Sequence, residues 1–525
     1  MAKTRKLATY DNKLYYGDNL DVLRNKIHDE TVDLCYIDPP FNSKRNYFQI
    51  YNNICGEIDR AQAQAFLDTW EWGDEAEEGL RYISDVNNLN NGKFTPQTVA
   101  LIHGLTTVLG RGDLMAYLVH MTQRVVEIHR VLKPAGSFYL HCDPTASHYL
   151  KLICDGIFCG TGRNGDFINE IVWHYNTGGK GKKTFLRKHD IIFWYAKNAA
   201  QYCFNRDEVA VERKADTAHL RRGKTEDGRE YYEDYSPRKS GKFYRWYLDE
   251  GLTPMDVWTD LQALNPAAKE RLGYPTQKPE ALLERIIKAS TSEGDVVLDA
   301  YCGCGTTVAV AQKLKRRWIG IDITYQSISL ILKRLKDTYV GDLWSSIDQT
   351  LLIDGVPKDK DSAIALANRK DDRTRKEFEK WAVLTYSDNQ ARINDKKGAD
   401  GGVDGISYFM LDKENDAFKS GKVVYQVKSG GAQRGTIDNL RGVMQNEGAE
   451  IGILLTMDPP TAPMLKTAQQ AGKFKHPLLN KEYNRIQIVS VDEMLSGARM
   501  DLPLPRDIVK RAEAFGDATA QQRLI

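Results

Sequence analysis

An α/β fold with more than one domain is predicted by three features of the sequence. Residues 294–323 follow the pattern strand, glycine loop, helix, strand, which is one β-α-β unit of a nucleotide-binding sheet. The chain has 525 residues, enough for two to four domains with separate cores. Residues 354–381 are charged and mixed, and this change of composition is typical of a linker before a second, smaller α/β domain.

Composition excludes several classes of protein. The net charge is only +2, so a nucleic-acid site would have to be a local basic patch. No stretch resembles a signal peptide or approaches the roughly 20 apolar residues that cross a membrane, which predicts a cytoplasmic protein without a membrane partner. The eight cysteines include no C-x-x-C pair with zinc spacing, which disfavours a zinc site or a disulfide framework.

A buried strand that ends abruptly is the first candidate site. Residues 32–37 are mostly apolar, and Asp38-Pro39-Pro40-Phe41 follows them directly. Both prolines lack an N–H donor, so the chain must leave the sheet at Asp38 with a stiffened backbone. A second apolar run ends in Asp458-Pro459-Pro460, followed by Thr461. The tripeptide alone therefore leaves a simple rigid turn open as an alternative.

The β-α-β unit is the second candidate site. We expect a strand at residues 296–299, a loop around Gly303 and Gly305, a helix at 306–314 and a strand at 318–321. Val308 stands where a dinucleotide fingerprint has its third glycine, and no lysine follows as in a phosphate loop, so a pyrophosphate ligand is disfavoured. Asp322 can accept from ribose hydroxyls, and Asp299 can meet a cationic group. S-adenosylmethionine has both parts, and an ordinary tight turn is the alternative.

Four short motifs together resemble the β group of DNA amino-methyltransferases, over about residues 10–340. They are Gly17-Asp18, Asp38-Pro39-Pro40-Phe41, Thr276-Gln277-Lys278-Pro279, and the stretch from Asp299 to Thr306, and they occur in that family's order. The resemblance implies a Rossmann-like methyltransferase domain at residues 1–345. Its target-half motifs would span residues 10–150, its target-recognition segment about 171–260 and its cofactor half 271–340. One departure is Tyr301-Cys302-Gly303-Cys304-Gly305, where the family usually has Phe-x-Gly-Ser-Gly.

The resemblance also implies roles for individual residues. In such enzymes the Asp38 carboxylate and the Pro39 carbonyl would accept from the exocyclic amine of a flipped-out base, with Pro40 stiffening the turn and Phe41 stacking on the base. A leading Asp is more usual for adenine N6 than for cytosine N4. The residues implied to bind S-adenosylmethionine are Asp18, Thr276, Gln277, Lys278, Asp299, Ala300, Cys302, Gly303, Gly305, Thr306 and Asp322.

Double-stranded DNA is the partner that the middle of the chain suggests. Residues 171–250 contain 17 Lys or Arg and 12 Asp or Glu, a local charge of about +5 (17 minus 12), although the whole chain is nearly neutral. Residues 176–190 are glycine-rich and basic, which suits a loop lying on phosphates. A solvated lysine loop is the alternative. The oligomeric state is left open, with a homodimer as one alternative.

The C-terminal part contains a third candidate site. Asp404 precedes a strand, and Gln426 and Lys428 share one face of another strand at residues 423–428. An acid, an amide oxygen and a lysine suit a Mg²⁺-dependent phosphodiesterase. The stretch resembles the Mrr-like restriction-endonuclease fold of PD-(D/E)xK type, and we expect a linker at 346–372 and this domain at 373–505.

The resemblance assigns the C-terminal residues as follows. Asp404 and Gln426 would hold the metal, Lys428 would orient the attacking water, and Asp400 or Glu377 would be an additional ligand. In most relatives of this superfamily the middle position is Asp or Glu, so Gln426 weakens the metal site. The expected function is an adenine-N6 DNA methyltransferase fused to an endonuclease, which combines restriction and modification in one chain.

Two other functions compete with this expectation. One is a modification-only enzyme, acting on adenine N6 or cytosine N4, whose C-terminal domain binds DNA without cutting. The other is a NAD-dependent oxidoreductase, which the missing third glycine and the Asp-Pro-Pro-Phe element disfavour.

Overall fold

A computed structural model describes most of the chain. The described residues are 11–40, 45–49, 63–68, 70–176, 183, 185–211, 220–234, 243, 245–265, 267–274, 276–368, 372–394, 402–414, 417–498 and 500–503. Phe41, Asp400 and residues 177–182 and 184 of the basic loop at 176–190 lie outside this set. Within it, no helix is long and apolar enough to cross a membrane.

The N-terminal domain alternates strands and helices, as predicted. Its strands are β1 (Asn12–Tyr16), β2 (Val32–Ile37), β3 (Arg45–Gln49), β4 (Ala63–Asp68), β5 (Leu132–Cys142), β6 (Asp166–His174), β7 (His189–Ala196), β8 (Leu220–Lys224), β9 (Glu230–Asp234), β10 (Arg245–Tyr247), β11 (Val257–Trp258), β12 (Val296–Asp299), β13 (Arg317–Asp322) and β14 (Leu351–Asp354). Its helices are α1 (Asn19–Lys26), α2 (Asp74–Ser84), α3 (Val86–Asn90), α4 (Pro96–Leu109), α5 (Asp113–Val131), α6 (Ser147–Phe158), α7 (Glu280–Ser290), α8 (Thr306–Lys313), α9 (Tyr325–Thr338) and α10 (Asp342–Thr350).

In the described part of this domain, nine strands form one sheet with the order β11-β6-β7-β5-β2-β12-β13-β1-β14. Every pair is parallel except those made by β7, which runs antiparallel to both β5 and β6. The β-α-β unit from the C-terminal half of the domain, β12-α8-β13, is inserted between β2 and β1. Motifs that are far apart in sequence therefore meet at the carboxyl edge of four neighbouring strands.

The C-terminal domain is smaller and also α/β. Its elements are α11 (Lys360–Ala367), α12 (Asp372–Tyr386), β15 (Arg392–Ile393), β16 (Gly405–Glu414), β17 (Ala417–Lys428), α13 (Arg434–Glu447), β18 (Ile451–Thr456), α14 (Ala462–Gln470), β19 (Lys473–Lys475), β20 (Glu482–Asn484), β21 (Ile486–Ser490) and α15 (Val491–Leu495). Among its described residues, five strands form a sheet in the order β15-β16-β17-β18-β21. Antiparallel β15 and β16 precede parallel β17, β18 and β21.

The segment predicted as a linker is structured. Within residues 346–372, β14 extends the large sheet by pairing with β1, and α11 packs against α12. Asp359 caps α11 by accepting from the backbone N–H of Ser362 at 2.8 Å. The charged composition reflects the exposed faces of these short elements, so it does not mark a free tether.

The two domains share a continuous apolar core, to which α12 contributes the buried side chains of Phe378 and Trp381. Glu377, on the same helix, is only 7% exposed. Its Oε2 accepts from the backbone N–H of Tyr325 at 2.7 Å and from the Tyr16 hydroxyl at 3.3 Å. The C-terminal domain is thus joined to the ends of β1 and β13 by both packing and hydrogen bonds.

Candidate functional site

Four of the predicted site carboxylates meet at the carboxyl edge of the large sheet. Asp38 directly follows β2, Asp299 ends β12, Asp322 ends β13 and Asp18 follows β1 by two residues. These strands are neighbours in the order β2-β12-β13-β1. The sheet topology therefore assembles an acidic site from the motifs that the sequence singled out.

Asp38 is held by one carboxylate oxygen only. Its Oδ2 pairs with the ammonium of Lys278 at 2.5 Å, and the two side chains are only 18% and 10% exposed. Its Oδ1 is buried and has no hydrogen-bond partner among the described residues. An unpaired buried acceptor costs about 1–3 kcal/mol. A ligand that donates a hydrogen bond to Oδ1 would therefore be favoured at this position.

The loop that carries Lys278 is fixed by its own side chains. The Gln277 amide accepts from the backbone N–H of Leu272 at 2.8 Å and donates to the Glu270 carbonyl at 2.7 Å. Thr276 is exposed and adopts a left-handed backbone with φ of 62°. The family resemblance predicted that Thr276, Gln277 and Lys278 bind the cofactor. In the structure, Gln277 braces the loop and Lys278 contacts the acid of the Asp-Pro-Pro motif.

The glycine loop between β12 and α8 requires its glycines. Gly303 and Gly305 both have positive φ, 49° and 74°. A Cβ at Gly305 would lie 2.6 Å from Cγ1 of Ile331, so any larger residue would disturb the packing. Cys302 and Cys304 are 5% and 4% exposed, and burial raises the pKa of both thiols. The two cysteines act as small core residues. The departure from the family pattern therefore does not disturb the packing of the glycine loop.

Asp18 and Ala300 belong to a second anchored part of the same edge. Asp18 caps α1 by accepting from the backbone N–H of Leu20 at 2.8 Å, and its Oδ2 pairs with Arg124 at 2.8 Å. Asn19 donates to the Ala300 carbonyl at 2.8 Å. These contacts tie the loop after β1 to the loop after β12, which ends where Thr306 begins α8.

Asp299 and Asp322 are buried carboxyls with raised pKa values. Burial raises the pKa of Asp299 to about 7, although it accepts from the Thr307 hydroxyl and the Tyr301 backbone. Burial also raises the pKa of Asp322 to about 6. Asp322 accepts from the backbone N–H groups of Gly303 and Thr324, each at 2.9 Å. This crowded acidic cluster favours a cationic ligand.

A buried hydrogen-bonded chain beside Asp38 was missed by the sequence analysis. The Tyr36 hydroxyl lies 2.9 Å from Nδ1 of His141, and Nε2 of His141 lies 3.1 Å from Oδ2 of Asp190. The Tyr175 hydroxyl donates to Oδ1 of Asp190 at 3.1 Å. Strand alternation places Tyr36 on the same face as Asp38, which is the one signal in the sequence. No local pattern marks the other three residues.

The segment predicted to recognise the target, about residues 171–260, contains a small antiparallel sheet of β8, β9 and β10. Several of its basic side chains form ion pairs inside the segment: Arg222 and Lys224 with Glu230, Arg229 with Asp249, and Arg245 with Glu233. Phe185, which lies within the basic loop, is fully exposed. The local positive charge is therefore partly offset, and the segment exposes an aromatic ring as well.

The predicted nuclease residues converge on two paired strands. Asp404 immediately precedes β16, and its Oδ2 accepts from the backbone N–H of Val427 at 2.7 Å. Gln426 is 1% exposed, and its Oε1 has no hydrogen-bond partner among the described residues. Lys428 ends β17 on the same face as Gln426. The structure thus brings the three residues to one end of the sheet.

Glu377 is not available to this site, contrary to its prediction as an extra metal ligand. Its carboxylate is bonded to Tyr325, Tyr16 and Lys380 at the domain contact. Across the described ranges, no three His, Cys, Asp or Glu side chains form a metal-binding group. The other extra candidate, Asp400, lies outside those ranges.

Comparison with known families identifies both domains. A family model described as DNA methylase matches residues 32–333, more than half of the chain. The chain belongs to the DNA methylase family. A second model, described as restriction endonuclease, matches residues 371–490. The methylase therefore carries a C-terminal domain of the restriction-endonuclease type, and the resemblance to both families is confirmed.

The methylase is also similar to individual proteins. Type II methyltransferase M.HpaI of Haemophilus parainfluenzae is 30% identical over 238 residues, covering 45% of this chain and 64% of that protein. DNA adenine methyltransferase YhdJ of Escherichia coli K12 is 29% identical over 323 residues, covering 61% and 82%. The solved PvuII DNA methyltransferase, described as cytosine-N4-specific, is 16% identical with a TM-score of 0.37, covering 66% of this chain and 96% of that one. The chain thus spans just under two thirds of the length of M.HpaI.

Proposed function

We propose that this methylase transfers a methyl group from S-adenosylmethionine to the N6 amine of adenine in double-stranded DNA. The observation that carries the proposal is the Asp38 carboxylate, whose Oδ2 is held by Lys278 while Oδ1 has no hydrogen-bond partner in the described chain. An exocyclic amine supplies the N–H donor that this buried acceptor lacks.

Methyl transfer to such an amine requires its lone pair to leave conjugation with the ring. Asp38 Oδ1 and the Pro39 carbonyl can both accept from the amine, which would orient the lone pair for attack. S-adenosylmethionine supplies the electrophilic methyl group. The proton that the amine loses can pass to the Asp38 carboxylate that it already contacts. Lys278 fixes the direction of that carboxylate throughout.

The acidic edge of the sheet suits the cofactor. S-adenosylmethionine carries positive charge on its sulfonium and amino groups, and the buried carboxyls of Asp299 and Asp322 lie on neighbouring strands. Gly303 has a positive φ, and a Cβ there would lie 3.3 Å from the Tyr274 ring, so a larger residue would press on that ring and strain the loop. We assign Asp299 to the cationic amino-acid portion and Asp322 to the ribose side.

Cofactor affinity should rise with pH across the pKa of Asp299. Burial raises that pKa to about 7, so the carboxyl is largely neutral below this pH and ionised above it. A cationic ligand prefers the ionised form, and its dissociation constant should increase by up to about tenfold for each pH unit below the pKa. Titration calorimetry on either side of the pKa measures this. Asp299→Asn should lose the dependence, and a wild-type affinity that ignores pH would contradict the assignment.

Adenine is preferred over cytosine as the target for two reasons. The motif begins with Asp38, and the relative YhdJ is named as a DNA adenine methyltransferase. Purified protein incubated with unmethylated DNA and S-adenosylmethionine should produce N6-methyldeoxyadenosine, measured by mass spectrometry of digested nucleosides. N4-methyldeoxycytidine as the product would overturn the base assignment, and no methylated base at all would overturn the proposed activity.

We further propose that the C-terminal domain cleaves DNA with Mg²⁺, so that restriction and modification act from one chain. Gln426 Oε1 is a buried oxygen without a protein donor in the described residues, and the Asp404 carboxylate accepts from the backbone N–H of the next residue, Val427. Hard oxygen ligands of this kind suit Mg²⁺. Lys428 would orient the attacking water. Because one site cuts one strand, a homodimer on DNA is proposed for cutting both.

The second candidate function keeps the methylase activity and makes the C-terminal domain a DNA-binding module. One observation favours it: Gln426 has an amide at a position where a carboxylate would bind the metal more strongly.

A further inference from the structure

We propose that Tyr36, His141 and Asp190 are positioning residues for methyl transfer, which act on Asp38 through Lys278. The inference rests on the proposed function, because it assumes that Asp38 receives the target amine. None of the three residues belongs to the motifs from which the site was predicted.

The three residues form a continuous chain across neighbouring strands. Tyr36 lies on β2, His141 on β5 and Asp190 on β7, and these strands are adjacent in the sheet. Tyr36 is 2% exposed and His141 is completely buried. A carboxylate can only accept, so Nε2 of His141 donates to Asp190. In the neutral imidazole Nδ1 is then the acceptor, and the Tyr36 hydroxyl donates to it.

Lys278 connects this chain to the reactive carboxylate. Burial opposes ionisation of Asp190, but hydrogen bonds from His141 and Tyr175 and the charge of Lys278 lower its pKa. The same ammonium is paired with Asp38 at 2.5 Å. The charge of Lys278 therefore acts on a carboxylate at the end of β2, with which it is paired, and on another at the start of β7.

Tyr36 is also close to the cluster of Asp38 and Asp299 because of its position in β2. It precedes Asp38 by two residues and shares its face of the sheet. Burial raises the pKa of the Tyr36 hydroxyl, and the negative charges of Asp38, Asp299 and Asp190 raise it further. The hydroxyl is therefore a donor at all ordinary pH values. It can keep His141 oriented toward Asp190 whatever the state of the bound ligands.

A buried polar chain of this kind is costly unless all its members are bonded. Its effect on Asp38 should be geometric, since a displacement of about 1 Å at a reacting group can reduce a rate by about a hundredfold. Binding of S-adenosylmethionine should change little, because the cofactor is assigned to β12 and β13.

The sheet supplies a matched control for the test. Tyr139 on β5 is the register partner of Tyr36 on β2, and both side chains are 2% exposed. The Tyr139 hydroxyl bonds to Ser290 at 2.8 Å. Tyr36→Phe and Tyr139→Phe thus each remove one buried hydroxyl from the same sheet. Only the first removes a bond to His141.

The test compares single-turnover methylation rates with cofactor dissociation constants in purified full-length variants. Tyr36→Phe should lower the rate by about tenfold and leave the dissociation constant within about twofold, a split that simple loss of packing would not produce. Asp190→Asn, which keeps its shape but loses its charge, should have the same effect. Tyr139→Phe should match the wild type.

Wild-type rates in both Tyr36→Phe and Asp190→Asn would overturn the inference. Equal losses in Tyr36→Phe and Tyr139→Phe would also overturn it, because a general effect of buried hydroxyl removal would then suffice. These outcomes differ from failure of the proposed function, in which the wild-type protein itself would transfer no methyl group.

Discussion

Replacing Asp38 with Ala should abolish methyl transfer, lowering the single-turnover rate by at least about a thousandfold. The variant removes the buried carboxylate oxygen that is proposed to accept from the target amine, and it breaks the ion pair between Asp38 and Lys278. S-adenosylmethionine should still bind within a few-fold, because Asp299 and Asp322 end other strands. Transfer of labelled methyl groups to DNA measures the first effect, and calorimetry measures the second.

The chain contains its own control for this prediction. Asp458 begins the second Asp-Pro-Pro sequence, but its side chain is 72% exposed and forms an ion pair with Lys360. Asp458→Ala should therefore methylate DNA at the wild-type rate. Undiminished methylation by the Asp38 variant, or an equal loss in both variants, would contradict the assignment of Asp38.

Lys428→Ala should abolish Mg²⁺-dependent cleavage of unmethylated DNA and leave methylation unchanged. The lysine lies at the end of β17, two residues after Gln426, whereas the residues proposed for methyl transfer lie at the edge of a different sheet. The measurement is a cleavage assay with and without Mg²⁺, run in parallel with the methylation assay. Loss of both activities would indicate that the variant is misfolded.

Gln426→Glu tests the metal site in the opposite direction. A second carboxylate should strengthen metal binding and lower the Mg²⁺ concentration that half-maximal cleavage needs. If the wild type never cuts but the Glu variant does, Gln426 has disabled a nuclease. If neither cuts, the C-terminal domain is a binding module and the proposed restriction activity is wrong. Point variants are preferable to deletion here, because removing residues 370–525 would also remove Phe378 and Trp381 from the apolar core that the two domains share.

Local patterns in the sequence predicted the elements that carry the methylase motifs. The strand expected at residues 296–299 coincides with β12, and the expected helix at 306–314 differs from α8 by one residue. In these stretches apolar residues recur at strand or helix spacing, and glycine or proline marks where each element ends. Interactions between residues close in sequence are therefore enough to predict them. The stop at Asp38 is likewise set by two prolines that cannot join a sheet.

The parts of the site that could not be predicted from the sequence depend on contacts between residues far apart in the chain. Lys278 and Asp38 are separated by 240 residues, and Tyr36 and His141 by 105, so no local spacing relates them. The strand β14 was hidden in a predicted linker because four residues are too few to establish a period, and its pairing with β1 depends on chain distant in sequence. Glu377 was misassigned because two of its three partners, Tyr16 and Tyr325, belong to the other domain.

Helix α9 begins with two successive backbone amides that are bound by carboxylates from different parts of the chain. Thr324 donates to Asp322, beside the proposed cofactor site, and Tyr325 donates to Glu377 of the C-terminal domain. Replacing the endonuclease domain with one that has no carboxylate at the position of Glu377 would leave the Tyr325 N–H buried without this acceptor. Recombination at this junction would thus destabilise the methylase domain as well as the endonuclease-type domain. We therefore expect the two domains to be inherited together, with Glu377 and Tyr16 changing together.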